Sequence, residues 1–223
     1  MSQIVTVGFI TEGTTDVRFL SGIIRRTFED LTWECQQAIE VYPPMALAVS
    51  KLGLTFSDYV LEAAKSAETD KLMVLCVHTD ADDDSDTETF NNRIAPAFVY
   101  TRLKLAPQIN PNMVAIVPVR MTEAWMLADK DALKAEIGTD KTDAQLGLIR
   151  SPESVADPKE TIKEAIRLAF DHRARRSRNQ VSISDLYEPL GAIVSLERLA
   201  LLPSYQKFKE AVREAFRRLN YLH

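Results

Sequence analysis

Apolar positions along the first two-thirds of the chain alternate between two periods. Residues 3–10 (QIVTVGFI) read as a buried strand, and Val17, Leu20, Ile24, Phe28 and Leu31 then recur at helical spacing. Thr14 and Asp16 suit the first turn of that helix, as a cap and as a charge favoured by the helix dipole. A second strand is expected at 37–42 (QAIEVY), stopped by Pro43-Pro44, and an Ala- and Leu-rich helix at 56–67. Residues 71–78 form the clearest strand, 89–105 a helix ending before Pro107, and 112–119 (NMVAIVPV) a fourth strand. Glu123 to Ala128 reads as a short helix. Strands separated by helix-length segments predict an α/β fold, a parallel sheet of about four strands flanked by helices.

Past residue 130 the strand signal fades. Residues 159–171 and 203–219 read as helices, the second opening with Pro203-Ser204. Between them "DHRARRSRN", Asp171 to Asn179, reads as a loop or a frayed helix end. The expected organisation is an α/β core over 1–130 and a helical region over 131–223, an extension rather than an independent domain. A chain of 223 residues buries enough surface to fold without disulfides or a structural metal. Cys35 and Cys76 are isolated, with no CxxC, which suits buried thiols in a reducing cytoplasm. No signal peptide is visible and no apolar run approaches about 18 residues, so neither secretion nor membrane spanning is expected.

Charge changes the picture. Residues 1–150 carry 14 Lys and Arg against 22 Asp and Glu, whereas residues 151–223 carry 13 against 10. The net acidity therefore does not exclude a polyanionic partner, because local charge governs that. Arg173, Arg175, Arg176 and Arg178 give the best nucleic-acid signal in the chain; the alternative is a solvated basic loop. Arg120, just after the fourth strand, is placed to neutralise carboxylates or to grip a phosphate.

Three of the four strands end in acid. The first runs into Thr11-Glu12-Gly13-Thr14-Thr15-Asp16, the third into "HTDADDDSD" (His78–Asp86), and the fourth is followed by Glu123. Ligands of open α/β sheets bind at the carboxyl ends of the strands. In a sheet of order 2-1-3-4 strands one and three are adjacent, and Glu12 and Asp80 become neighbours. Carboxylates brought together repel, and a divalent cation removes the conflict. Mg²⁺ takes oxygen ligands, usually one or two carboxylates with waters and substrate phosphates, which suits phosphoryl chemistry. Gly13 allows a tight turn beside such a ligand, although any αβ turn could use it. Asp83, Asp84 and Asp86 read as solvating or capping residues, and His78 as a structural hydrogen-bonding residue before a proton shuttle.

Other chemistries fit less well. An EF-hand counted from Asp80 would place Ser85 where Gly is needed and Asn91 where Glu is needed. An aspartyl-nucleophile phosphatase built on Asp80 and Asp82 leaves Glu12 without a role. No Ser or Cys has a recognisable His base, and no GxxxxGK[ST] loop is present. Trp125, Leu127, Tyr205, Phe208 and Phe216 read as core.

Glu12-Gly13-x-x-Asp16 followed by Asp80-Ala81-Asp82 resembles the Toprim (topoisomerase–primase) fold. More narrowly, "EAWMLAD" (Glu123–Asp129), "PESVADPK" (Pro152–Lys159) and "PSYQKF" (Pro203–Phe208) resemble bacterial Toprim-like proteins akin to the nuclease part of OLD (overcoming lysogenization defect) proteins. The resemblance implies a Mg²⁺- or Mn²⁺-dependent nuclease, acting on DNA sooner than RNA, with a role in antiphage defence. It implies Glu12 as a ligand or general acid/base, Asp80 and Asp82 as ligands, and Glu123 as a ligand of a second metal. Asp16 stands where related nucleases often carry the longer glutamate. An ATPase partner is implied by the resemblance alone. Two other classes stay open: a noncatalytic or partner-dependent binding protein on the same scaffold, and a small-molecule phosphatase or phosphotransferase.

Overall fold

The computed structural model of the chain describes residues 3–107, 109, 111–171 and 181–223. The first strand breaks at Thr6 into β1 (Gln3–Val5) and β2 (Val7–Ile10), ahead of α1 (Thr14–Thr32). The second breaks at Pro43-Pro44 into β3 (Ile39–Val41) and β4 (Met45–Ala46), since proline offers no N–H to a ladder. Then come α2 (Phe56–Thr69), β5 (Val74–His78) and α3 (Thr87–Thr89), which runs through a π turn at Phe90–Ile94 into α4 (Ala95–Leu105), and β6 (Met113–Ile116). All pairings are parallel: β1 lies beside β3, and the main sheet has the order β4-β2-β5-β6. This is the α/β architecture expected, with the first and third strands in register from Val7 opposite Val74 to Ile10 opposite Val77.

Side chains leave the sheet with a period of two. Val7, Phe9, Val74, Cys76, Val114 and Ile116 join one apolar cluster with α1, whereas Ile10, Leu75, Val77 and Met113 join a second with α2 and α4. The remaining helices are α5 (Thr122–Met126), α6 (Lys130–Ile137), α7 (Pro158–Ala169), α8 (Ile183–Ile193), α9 (Leu196–Leu199) and α10 (Pro203–Arg218), with a 3₁₀ turn at Pro152–Ser154. Trp125, Leu133, Ile162, Leu190, Leu199 and Phe216 from these helices lie in the same cluster as α1, so one core runs through residues before and after 130. Trp125, Leu127, Tyr205, Phe208 and Phe216 are all buried there, as their pattern predicts.

Helix α8 crosses α1 at a pair of glycines. A Cβ on Gly22 would stand 2.4 Å from the Gly191 carbonyl oxygen, and one on Gly191 would stand 2.3 Å from that of Phe19. The two backbones therefore meet where no side chain fits. Among the described residues no helix is long and apolar enough to cross a membrane.

Candidate functional site

Because β2 and β5 are neighbours, the segments that follow them face each other. Thr79 Oγ1 donates to Glu12 Oε1 at 2.5 Å, and the Glu12 N–H points to His78 Nδ1 at 3.5 Å. The other ring nitrogen, Nε2, lies 3.1 Å from Asp80 Oδ1. The same oxygen accepts from the Thr122 N–H at 2.9 Å. His78 is buried, and this bridge from the Glu12 backbone to the Asp80 carboxylate is the hydrogen-bonding role its sequence position suggests.

The acidic loop is zipped to the chain leaving β6. N–H groups of Thr79, Ala81 and Asp82 donate to the carbonyls of Ile116, Pro118 and Arg120 at 3.1, 3.0 and 2.9 Å, and the Arg120 N–H returns to Asp83 at 2.9 Å. The turn puts Asp82 at φ 56° and Arg120 at φ 61°, both left-handed. Asp82 is exposed, and among the described residues its carboxylate makes no hydrogen bond or ion pair. Arg120 leans toward Asp83 and Asp84, at 4.0 and 3.9 Å, with its Nε buried and unpartnered. Asp83 and Asp84 are exposed, whereas Asp86 is buried at the N-cap position of α3, where its carboxylate makes an ion pair with Lys207 of α10 at 2.5 Å and not a solvating or side-chain capping contact.

Asp16 is buried in the first turn of α1 and accepts from the Gly13 N–H at 2.8 Å. Gly13, not Thr14, precedes the helix, at φ −134°, a conformation open to any residue. A Cβ there would stand 3.2 Å from Asp16 Oδ2, so the carboxylate would have to give by a few tenths of an ångström. Glu123 is buried in the first turn of α5, accepts a hydrogen bond from the Tyr187 hydroxyl, and lies 3.4 Å from Lys159 Nζ. Burial raises the Asp16 pKa; His78 opposes this, while Asp80 and Glu123 push it further. Desolvation also raises Asp82, reinforced by Asp80 and Glu12 and opposed by Arg93. Burial and the Glu123 carboxylate hold the Tyr187 hydroxyl far above its usual range.

Glu12, Asp16, Asp80, Asp82 and Glu123 thus form one electrostatically coupled group at the carboxyl edge of the sheet, with Arg120 at its outer rim. Arg173, Arg175, Arg176 and Arg178 lie outside the described residues. Sequence reading missed the cations that serve the group: Arg93 reaches Glu12 Oε1 at 2.9 Å, and Lys51 Nζ donates to the Glu12 carbonyl at 2.6 Å. It also missed Lys159 and Tyr187. The helical placement of Arg93 and the KLGL turn around Lys51 were the only local signals.

Among the described residues no three His, Cys, Asp or Glu side chains close into a cage able to hold a cation alone. The donors instead suit a hard, hydrated cation that keeps waters and shares its shell with a phosphate. Asp82 is unengaged, Asp80 uses one oxygen for its protein bonds, and burial, reinforced by neighbouring carboxylates, raises Asp16 and Asp82.

Neither a curated protein nor a solved structure matches the chain. A family model does, over residues 11–192, which takes in all five carboxylates, and the chain belongs to that family, the domain of unknown function DUF4276.

Proposed function

We propose that this protein is a Mg²⁺- or Mn²⁺-dependent phosphodiesterase that cleaves nucleic acid, DNA sooner than RNA. The observation that carries the reading is the set of carboxylates, Glu12, Asp16, Asp80, Asp82 and Glu123, that two adjacent parallel strands and the two helices beside them bring to one edge of the sheet. The resemblance to Toprim nucleases supports the same assignment. Glu12, Asp80 and Asp82 would hold the principal cation, with Asp16 beside them and Glu123 serving a second. When bound, the cation neutralises phosphate charge and lowers the pKa of a water. His78 and Thr122 fix the orientation of Asp80, and Thr79 that of Glu12. Once freed from Arg93, Glu12 would serve as a ligand or as the general acid/base, the two roles the resemblance implies. Arg120 and the arginines of 173–178 would contact the polynucleotide backbone.

Purified protein incubated with supercoiled plasmid or single-stranded RNA in Mg²⁺, Mn²⁺ or EDTA tests this. Cleavage is expected only with metal, and Asp80→Ala and Glu12→Ala are each expected to lower it by at least about 100-fold, about 2.7 kcal/mol of transition-state stabilisation. Undiminished cleavage in both variants would sink the assignment.

A second reading, a noncatalytic or partner-dependent scaffold, is favoured by the engagement of Glu12 with Arg93 and of Glu123 with Lys159 and Tyr187. Turnover appearing only with a partner such as an ATPase would select it. Hydrolysis of small phosphate esters without polynucleotide cleavage would select a phosphatase instead.

A further inference from the structure

A pocket of about 290 Å³ opens directly beside Glu12, on the side of the sheet covered by α2. Its walls include Lys51, Thr55, Phe56, Tyr59 and Arg93. Within an acidic half of the chain these walls present two cations and one carboxylate. The N-terminus of the 14-residue helix α2 also opens here, its partial positive charge offset by Asp58 in the first turn.

Both cations are held in place by the fold. Lys51 begins a tight turn in which the Leu54 N–H returns to the Lys51 carbonyl at 3.2 Å, with Gly53 at φ 75°. Its ammonium sits 5.1 Å above the Tyr59 ring, and the Arg93 guanidinium 4.4 Å above the Phe56 ring. Aromatic faces attract such cations without using up their hydrogen bonds. Arg93 is pre-formed for planar, bidentate anion recognition, yet its ligand for now is Glu12.

We infer that this pocket is a phosphate subsite, in which Lys51 and Arg93 grip the phosphate next to the scissile one while Arg93 exchanges Glu12 for substrate. The inference rests on the nucleic-acid reading for its substrate and deepens it. Arg93 holds Glu12 in the free protein, and when the Glu12 charge is taken up elsewhere the guanidinium turns to the incoming phosphate. The two are positioning residues that hold the strand against the carboxylates.

The test is run without metal, so that it does not depend on turnover. Inorganic phosphate and thymidine 5′-monophosphate are titrated into the full-length chain in EDTA, with thymidine as the uncharged control. Glu12→Gln, which removes the competing carboxylate, is expected to tighten binding of both phosphates at least tenfold over wild type and to leave thymidine unbound. Adding Lys51→Ala or Arg93→Ala to Glu12→Gln is expected to abolish that gain, and Arg93→Lys to restore part of it. Unchanged phosphate affinity in a folded Glu12→Gln, or a gain that survives both alanine changes, would overturn the subsite. A gain of this kind in a protein that cleaves no polynucleotide upholds the subsite and removes the nuclease reading alone.

Discussion

Asp82 sits where two penalties coincide. Its backbone is left-handed, a region Asn occupies as readily as Asp, and its carboxylate is desolvated beside Asp80 and Glu12. A raised native pKa means that the folded chain binds the proton more tightly than the unfolded one. The stability tied to that proton is complete at acid pH and is lost as pH climbs through the raised carboxylate range. Asp82→Asn is therefore expected to melt slightly above wild type in EDTA near neutral pH, by a margin that solvent screening of this exposed side chain keeps small. The gap should close toward acid pH, where wild type is protonated as well. Thermal melts across pH check this, and a variant less stable at every pH would count against the repulsion. With Mn²⁺ the order should reverse, since wild type gains a ligand that the variant lacks.

The three short segments that suggested a family resemblance turn out to interlock. Trp125 Nε1–H donates to Ser204 Oγ at 2.7 Å, and Ser204 in turn donates to Glu153 from its hydroxyl at 2.5 Å and its backbone at 3.1 Å. Asp129 caps α6 through the Ala132 N–H at 3.2 Å and accepts the Ser195 N–H at 3.0 Å, tying α6 to the turn before α9. These segments brace the helix that carries Glu123, while Lys159 alone among them reaches the carboxylate. Ser204→Ala leaves the buried indole N–H without its acceptor, while Glu153 keeps the backbone N–H of residue 204, an expected cost of about 1–3 kcal/mol in urea denaturation. At the α1–α8 crossing the expected cost is larger. Gly191→Ala drives a methyl into the Phe19 carbonyl, and about 3 kcal/mol, the upper part of the overpacking range, should be lost. An unchanged unfolding midpoint for Gly191→Ala would refute the crossing. Helix α8 itself escaped the sequence reading because Pro189 and Gly191, both helix breakers, stand in its body.

At the scale of the molecule, the local periods made the sheet legible. Strand runs such as 71–78 declare themselves through their own side chains, and the acid at their ends follows from chain order. What the periods could not reveal is anything made by pairs remote in sequence. Arg93 meets Glu12, and Tyr187 meets Glu123 from 64 residues away, only because β2, β5 and α8 pack as they do. In the helical region after 130 the helices expected at 159–171 and 203–219 match α7 and α10, whereas α8, which packs on α1, was not visible in its own pattern. The central claim is that carboxylates from both strand ends jointly hold a divalent cation. Calorimetric titration of Mn²⁺ into wild type, Glu12→Gln and Asp80→Asn tests it most directly. Saturable binding in wild type, weakened at least about tenfold in each variant, is the predicted result. Equal affinity in all three proteins, or no saturable binding to wild type, would contradict it.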